Sequence, residues 1–268
     1  MTKNKFVNTA TMYVDESPGN YISAEAAISQ EYAGMKIYDS PIFAFGAPDD
    51  ELYIRYKSPD VIGNHFLAPH EWLPTAKTVI SFFLPYTERI KTANTQDCTW
   101  PANEWLHGRY EGHMFLRNVA TYICKILLDA GYKSLIPADD PRMALGSAGP
   151  PFTSKWSERH VAYACGLGTF GLSGGLITEK GMSGRFGSII TELDLPKDSR
   201  PYSGVYDYCT MCGICIAHCP AQAISFESGK AHKPCSDFLD KVREKNNPRY
   251  GCGKCQAGVS CESGLPGA

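Results

Sequence analysis

Residues 208–220 read YCTMCGICIAHCP, and the spacing Cys209-x2-Cys212-x2-Cys215-x3-Cys219-Pro220 decides what the C-terminal part of the chain is built around. In such a run three closely spaced thiolates grip one 4Fe–4S cubane and the fourth reaches a second cubane. The spacing wraps a tight loop around three iron corners, with backbone N–H groups pointing at sulfide, and Pro220 turns the chain away. A zinc site seldom packs four cysteines this densely.

Four more cysteines follow, Cys235, Cys252, Cys255 and Cys261, without repeating the first run. We expect Cys219 to join Cys235, Cys252 and Cys255 on one cluster, as in bacterial ferredoxins. Cys261 then returns to complete Cys209, Cys212 and Cys215 on the other. Eight thiolates close both clusters, so His218 is expected beside a cluster or at the surface rather than as a ligand. Cys98, Cys124 and Cys165 are scattered outside this region. Cys124 reads as a small core or boundary residue.

With 268 residues, the chain is long enough for one substantial core plus a small appended module. Its 43% hydrophobic and 20% charged residues describe a folded globular chain rather than a disordered one. A net charge of -2 carries no global footprint for nucleic acid or an anionic membrane. The longest apolar run, VISFFLPY (Val79–Tyr86), falls far short of the roughly 18–20 residues that span a bilayer. The N-terminus lacks the apolar stretch of a secretion signal, so the expected location is cytoplasmic. Thiols are kept reduced there, which argues for metal rather than disulfides.

Upstream, AEAAISQEYAG (24–34) suggests a helix, with Ser23 as cap and Gly34 as stop. KIYDSPIFAFG and ELYIRY suggest short extended runs. AKTVISFFLPY is continuously apolar, as a strand buried on both faces should be. From His113 to Ala130, Phe115, Val119, Ile123, Ile126 and Leu127 recur at helical spacing, and Gly131 follows as a stop. Residues 138–154 are loop-rich; a second helix is expected from Ser154 to Gly166. GGLITEKGMSGRFGSIITELDLP (174–196) then suggests two strands joined by a glycine-containing turn.

Within ACGLGTFGLSGG (164–175), Gly166, Gly168 and Gly171 spell G-x-G-x-x-G. A dinucleotide site needs a strand before these glycines and a helix opening on them. Here a helix-like segment precedes and a strand-like one follows, so neither NAD nor FAD is expected at this motif.

The cysteine pattern, with YGCGKCQ at Tyr250–Gln256, resembles the double-cluster module of epoxyqueuosine reductases. ERHVAYACGLGTFG (Glu158–Gly171) resembles a segment of the same family. GRFGSIITELDLP (Gly184–Pro196) resembles the strand before the clusters in that family and in reductive dehalogenases. The resemblance runs from about Leu73 to Cys261. It implies an α+β chain: a nitroreductase-like α/β sandwich domain over 1–200, carrying cobalamin, and a ferredoxin-like domain with two 4Fe–4S clusters over 201–268. Gly166, Gly168 and Gly171 would be corrinoid contacts, small enough for the backbone to approach a large flat cofactor. A low-potential donor such as a ferredoxin or flavodoxin is the implied partner, and oxygen-sensitive clusters suggest an anaerobic setting.

The chain departs from this pattern in four ways. The proton-donating Asp that the reductases place six residues before the Glu of this segment is Phe152 here, and their later basic residue is Leu172. Val259 stands near the usual place of the last cysteine, with Cys261 taking over its work. The sequence stops seven residues past Cys261, which with the net charge of -2 argues against a tRNA substrate. The expected function is an iron–sulfur oxidoreductase passing electrons to a bound corrinoid for reduction of a small substrate. The alternative is an electron-transfer protein, or a corrinoid or flavin reductase, with no organic substrate of its own. A replacement acid would come from Tyr163, His160 or Arg159 in the second helix, or from Asp139 or Asp140.

Overall fold

A computed structural model describes residues 1–144 and 150–267. It opens with α1 (Lys3–Glu16), which Thr2 caps by accepting from the Lys5 N–H. Phe6, Ala10 and Val14 recur four apart and form its buried face. The helix expected at 24–34 does not form. The Ile28 N–H donates to His107 Nε2 at 3.2 Å instead of into a helical ladder, and only a 3-10 turn at Gln30–Tyr32 remains.

Next come β1 (Ile42–Gly46), α2 (Glu51–Arg55), α3 (Pro69–Trp72), β2 (Thr78–Pro85) and α4 (Glu88–Ala93). ELYIRY is thus helical rather than extended, because Asp50 accepts from the Leu52 N–H at 3.0 Å and caps it. The long helix α5 (Asn103–Asp129) starts ten residues before the periodic stretch. Its first turns carry Gly108 and Gly112, which let it lie against Tyr86 and Tyr38. After β3 (Ser134–Leu135), the loop-rich stretch includes residues 145–149, which lie outside the described residues. α6 (Glu158–Cys165) starts four residues later than expected and ends at Gly166, which takes a left-handed conformation at φ 100°.

β4 (Gly168–Phe170) and β5 (Leu176–Thr178) form a hairpin, and β6 (Gly184–Thr191) follows. The main sheet runs β1-β2-β6-β3, with every pair antiparallel. All eight residues of β2 are buried because both faces of the sheet are covered. Ile80, Phe82 and Leu84 pack toward α1 and α5, while Val79 packs with residues of α2 and α6 on the other face. Each fully buried Phe contributes on the order of 1.5–3 kcal/mol.

The cysteine-rich part contains α7 (Ile214–Ala217), the hairpin β7 (Ile224–Ser225) and β8 (Gly229–Lys230), and α8 (His232–Asn246). It is knit to what precedes. Lys254 Nζ is buried and donates to the carbonyls of Asn94 and Asp97, both at 2.6 Å. Arg249 pairs with Glu111 at 2.5 Å, and the Met182 N–H donates to the Cys261 carbonyl at 3.0 Å.

Candidate cluster and cavity site

Cys209 and Cys212 come from the loop leading into α7, Cys215 from α7 itself, Cys219 from just beyond it, and Cys235 from the first turn of α8. Cys252, Cys255 and Cys261 lie in the C-terminal loop. Electrostatic neighbours sort the eight thiols into two groups. Cys261 faces Cys209, Cys215 and Cys212. Cys255 faces Cys235 and Cys219, and Cys252 faces Cys255 and Cys235. The groups adjoin where Cys215 neighbours Cys255.

Burial, reinforced by neighbouring thiolates, pushes Cys215 up to about 11 and Cys252 and Cys261 up to about 12. Such a set needs a cationic core before its members can ionise together. Among the described residues, no three His, Cys, Asp or Glu side chains converge as they would around a single ion. A cubane gives each cysteine its own iron corner, which two groups of four thiols can supply.

Cys219, Cys235, Cys252 and Cys255 also line a cavity of about 400 Å³. Its opposite side comes from the sheet and helices: Tyr86, Trp105 and Arg109, Glu158 and Arg159 of α6, and Arg185 and Phe186 of β6. The first cysteine group lines a different, smaller pocket with Gly171 and Leu172.

Glu158 sits in the cavity wall at the start of α6. Its Oε2 accepts from the Ser188 hydroxyl at 2.6 Å, and Ser188 Oγ accepts from Trp156 Nε1–H at 2.8 Å. The cavity wets this carboxyl, yet protein encloses it. That burial lifts it to about 8, against weaker downward pulls from Ser188 and Arg185. Glu158 therefore holds a proton at neutral pH. Arg159 reaches the cavity from the next position and donates to the Gly174 carbonyl.

Of the expected acids, only Arg159 reaches the cavity. Tyr163 is buried against Phe170 and Tyr202. His160 packs edge-on to Tyr56 and bonds Ser157 at 2.8 Å; burial and Arg159 hold it down at about 4. Asp139 pairs with Arg117 and Asp140 with Arg142. Phe152 is 54% exposed and stacks on His232.

Gly166, Gly168 and Gly171 do not line the large cavity either, and their smallness is accounted for by the chain's own packing. A Cβ on Gly168 would lie 1.9 Å from the Ile177 carbonyl oxygen across the hairpin, and one on Gly171 would lie 3.2 Å from the Ile177 side chain. His218 Nδ1 bonds the Ala257 carbonyl oxygen at 3.1 Å and so ties the cysteine run to the C-terminal loop. Sequence reasoning passed over Glu158, Arg109 and Arg185. Glu158 had one signal, its place one residue before a candidate. The arginines had none, since only the fold brings α5 and β6 to the cysteines.

Comparison with known proteins bears on this arrangement. The 4Fe-4S binding domain family matches residues 204–225, which hold the first cysteine run. A tetrachloroethene reductive dehalogenase of Desulfitobacterium hafniense is 43% identical over 68 residues, 25% of this chain and 12% of that protein. An epoxyqueuosine reductase of Staphylococcus aureus is 25% identical over 241 residues, 83% of this chain and 55% of that protein. The chain is thus similar to epoxyqueuosine reductases and reductive dehalogenases and carries a 4Fe–4S binding segment.

Its fold agrees. A Bacillus subtilis epoxyqueuosine reductase structure superposes with TM-score 0.52 at 21% identity, over 85% of this chain and 63% of that one. A catabolic reductive dehalogenase superposes with TM-score 0.55 at 17% identity, over 84% of this chain and 30% of that one. This reductase-like chain thus spans about half the length of the curated epoxyqueuosine reductase and about an eighth of the dehalogenase. Among the described residues no helix is long and apolar enough to cross a membrane.

Proposed function

We propose that the chain is an oxidoreductase that passes electrons through two 4Fe–4S clusters to a corrinoid seated at the open cavity beside the inner cysteines, for reduction of a small substrate. Residues 1–200 form the cavity-bearing domain and residues 201–268 the cluster module. Cys209, Cys212, Cys215 and Cys261 hold the outer cluster; Cys219, Cys235, Cys252 and Cys255 hold the inner one. The observation that carries this reading is the shared wall, since the inner four cysteines line the same cavity as Trp105, Glu158 and Arg185.

The lining suits a broad flat cofactor: Tyr86, Trp105, Leu176, Met182 and Phe186 offer apolar and aromatic surface, and Arg109 and Arg185 offer donors. When bound, a corrinoid supplies a metal centre that can be reduced to a nucleophile; the chain supplies binding, orientation and electrostatics. Glu158 would hold the proton for the substrate at a carboxyl oxygen, steadied by Ser188 and Trp156. It takes the place of the acid expected at residue 152. Tetrachloroethene appears in the name of one relative, and another solved epoxyqueuosine reductase is bound to a tRNA stem loop. The net charge of -2 favours a small substrate over tRNA here.

The test is anaerobic purification followed by cofactor titration. The protein should carry about eight irons in two cubanes and perturb the spectrum of added cobalamin. Iron without binding of cobalamin or flavin would instead indicate an electron carrier.

A further inference from the structure

The large cavity is lined by five cations, Arg109, Arg159, Arg185, Lys230 and Lys254, and by one carboxyl group, Glu158. None of the five belongs to an ion pair among the described residues. Three of them have a counter-charge within the proposed function. Arg159 neighbours Cys255 and Cys235, Lys230 neighbours Cys255, and Lys254 neighbours Cys252. Four thiolates around a cubane outweigh the charge of its core, so these cations balance the inner cluster.

Arg109 and Arg185 are left over. Arg185 Nη2–H donates to His113 Nδ1 at 3.3 Å, and its buried Nε has no partner. A ring nitrogen that accepts leaves the imidazole uncharged. Burial, then Arg185 and Arg109, hold His113 down at about 4, so it takes no share of a counter-charge. Arg109 lies with its guanidinium 4.4 Å from the Tyr250 ring centre and is depressed by burial and by Arg185. Glu158 is protonated at neutral pH and offers no anion. Two guanidinium groups share a recess where their repulsion is poorly screened.

We propose that Arg109 and Arg185 form an oxyanion site, binding a carboxylate or phosphate carried by the molecule that fills the cavity. A guanidinium is a planar fork matched to such groups, and the free Nε of Arg185 supplies a donor already stripped of protein partners. The proposal rests on the reading that this cavity receives the reaction's ligand. Two sources carry such a group, a substrate's carboxylate and the phosphate of the cofactor's nucleotide tail.

Calorimetric titration of the anaerobic, cluster-loaded protein tests it, with benzoate, benzamide and inorganic phosphate as probes. Benzoate should bind at least about tenfold more tightly than benzamide, equivalent to about 1.4 kcal/mol. Arg109→Gln and Arg185→Gln should each lose that preference with iron content unchanged, and Arg185→Lys should keep part of it. Relief of repulsion should also leave Arg185→Gln melting no lower than the parent protein in anion-free buffer. Equal affinity for benzoate and benzamide in the parent protein overturns the proposal, whatever the variants do. Preloading with cobalamin separates the sources: benzoate excluded means the site holds the cofactor's phosphate, and benzoate retained means it holds a substrate's carboxylate. Benzoate selectivity without cobalamin binding would sink the corrinoid reading alone; cobalamin binding with no anion preference would sink the oxyanion site alone.

Discussion

Replacing Glu158 by Gln should make the protein more stable relative to the parent as pH rises. The carboxyl ionises near 4.5 in an unfolded chain and at about 8 in its place beside Ser188. Between those values the folded state binds more protons than the unfolded state, so parent stability falls from about pH 4.5 and levels off above 8. A shift of that size at ~1.4 kcal/mol per pH unit sets a ceiling near 5 kcal/mol. The cavity wets Glu158, so a loss of about 2–5 kcal/mol is the working range. Gln keeps the shape and an acceptor for Ser188 but does not titrate. Arg185 and Asp139 are the charged groups facing Glu158. In anaerobic melting curves at pH 5.5, 7 and 9, the midpoint of E158Q minus that of the parent should grow by roughly 5–15 °C from lowest to highest pH. A difference that stays constant across pH would refute the protonated carboxyl, and with it the proton held for the substrate.

Further outcomes follow from the same geometry. Cys209→Ser and Cys235→Ser should each lose about half the iron, read by iron assay and electron paramagnetic resonance, because each belongs to a different group of four. Lys254→Met should strand the carbonyls of Asn94 and Asp97, costing about 1–3 kcal/mol each if unsolvated, and should speed iron loss on exposure to a chelator. Gly168→Ala forces the β4–β5 hairpin apart at Ile177 and should lower the melting midpoint by the equivalent of about 1–3 kcal/mol or more. Tyr163→Phe should leave cofactor binding and any reductase activity unchanged, since its ring packs outside the cavity.

Glu25 to Tyr32 and Glu51 to Arg55 show where local reading failed. Helix-favouring residues at 24–33 were recruited by His107 on α5, a partner 79 positions away from Ile28. The apolar alternation of ELYIRY yielded to one capping carboxylate at Asp50. By contrast β2 was legible because burial on both faces leaves an unbroken apolar run, and α5 was legible from Phe115 onward because one stripe faces the sheet. Its earlier turns, with Gly108 and Gly112, hid a helix behind residues whose use is close approach to Tyr86 and Tyr38.

The sequence by itself determined the metal chemistry, because a cubane's corners impose their spacing directly on one short loop from Cys209 to Cys219. The resemblance carried in the residues around it also pointed to the reductase-like fold. Only the tertiary structure decided what faces the clusters. Arg109 of α5, Glu158 of α6 and Arg185 of β6 meet Cys255 across one cavity although no local pattern joins them. The same packing set Gly168 and Gly171 against Ile177 of the chain's own hairpin and Gly166 against Ser199, and put Phe152 outside against His232. Charge and proton affinity in that cavity follow from burial and neighbours, which are properties of the folded chain alone.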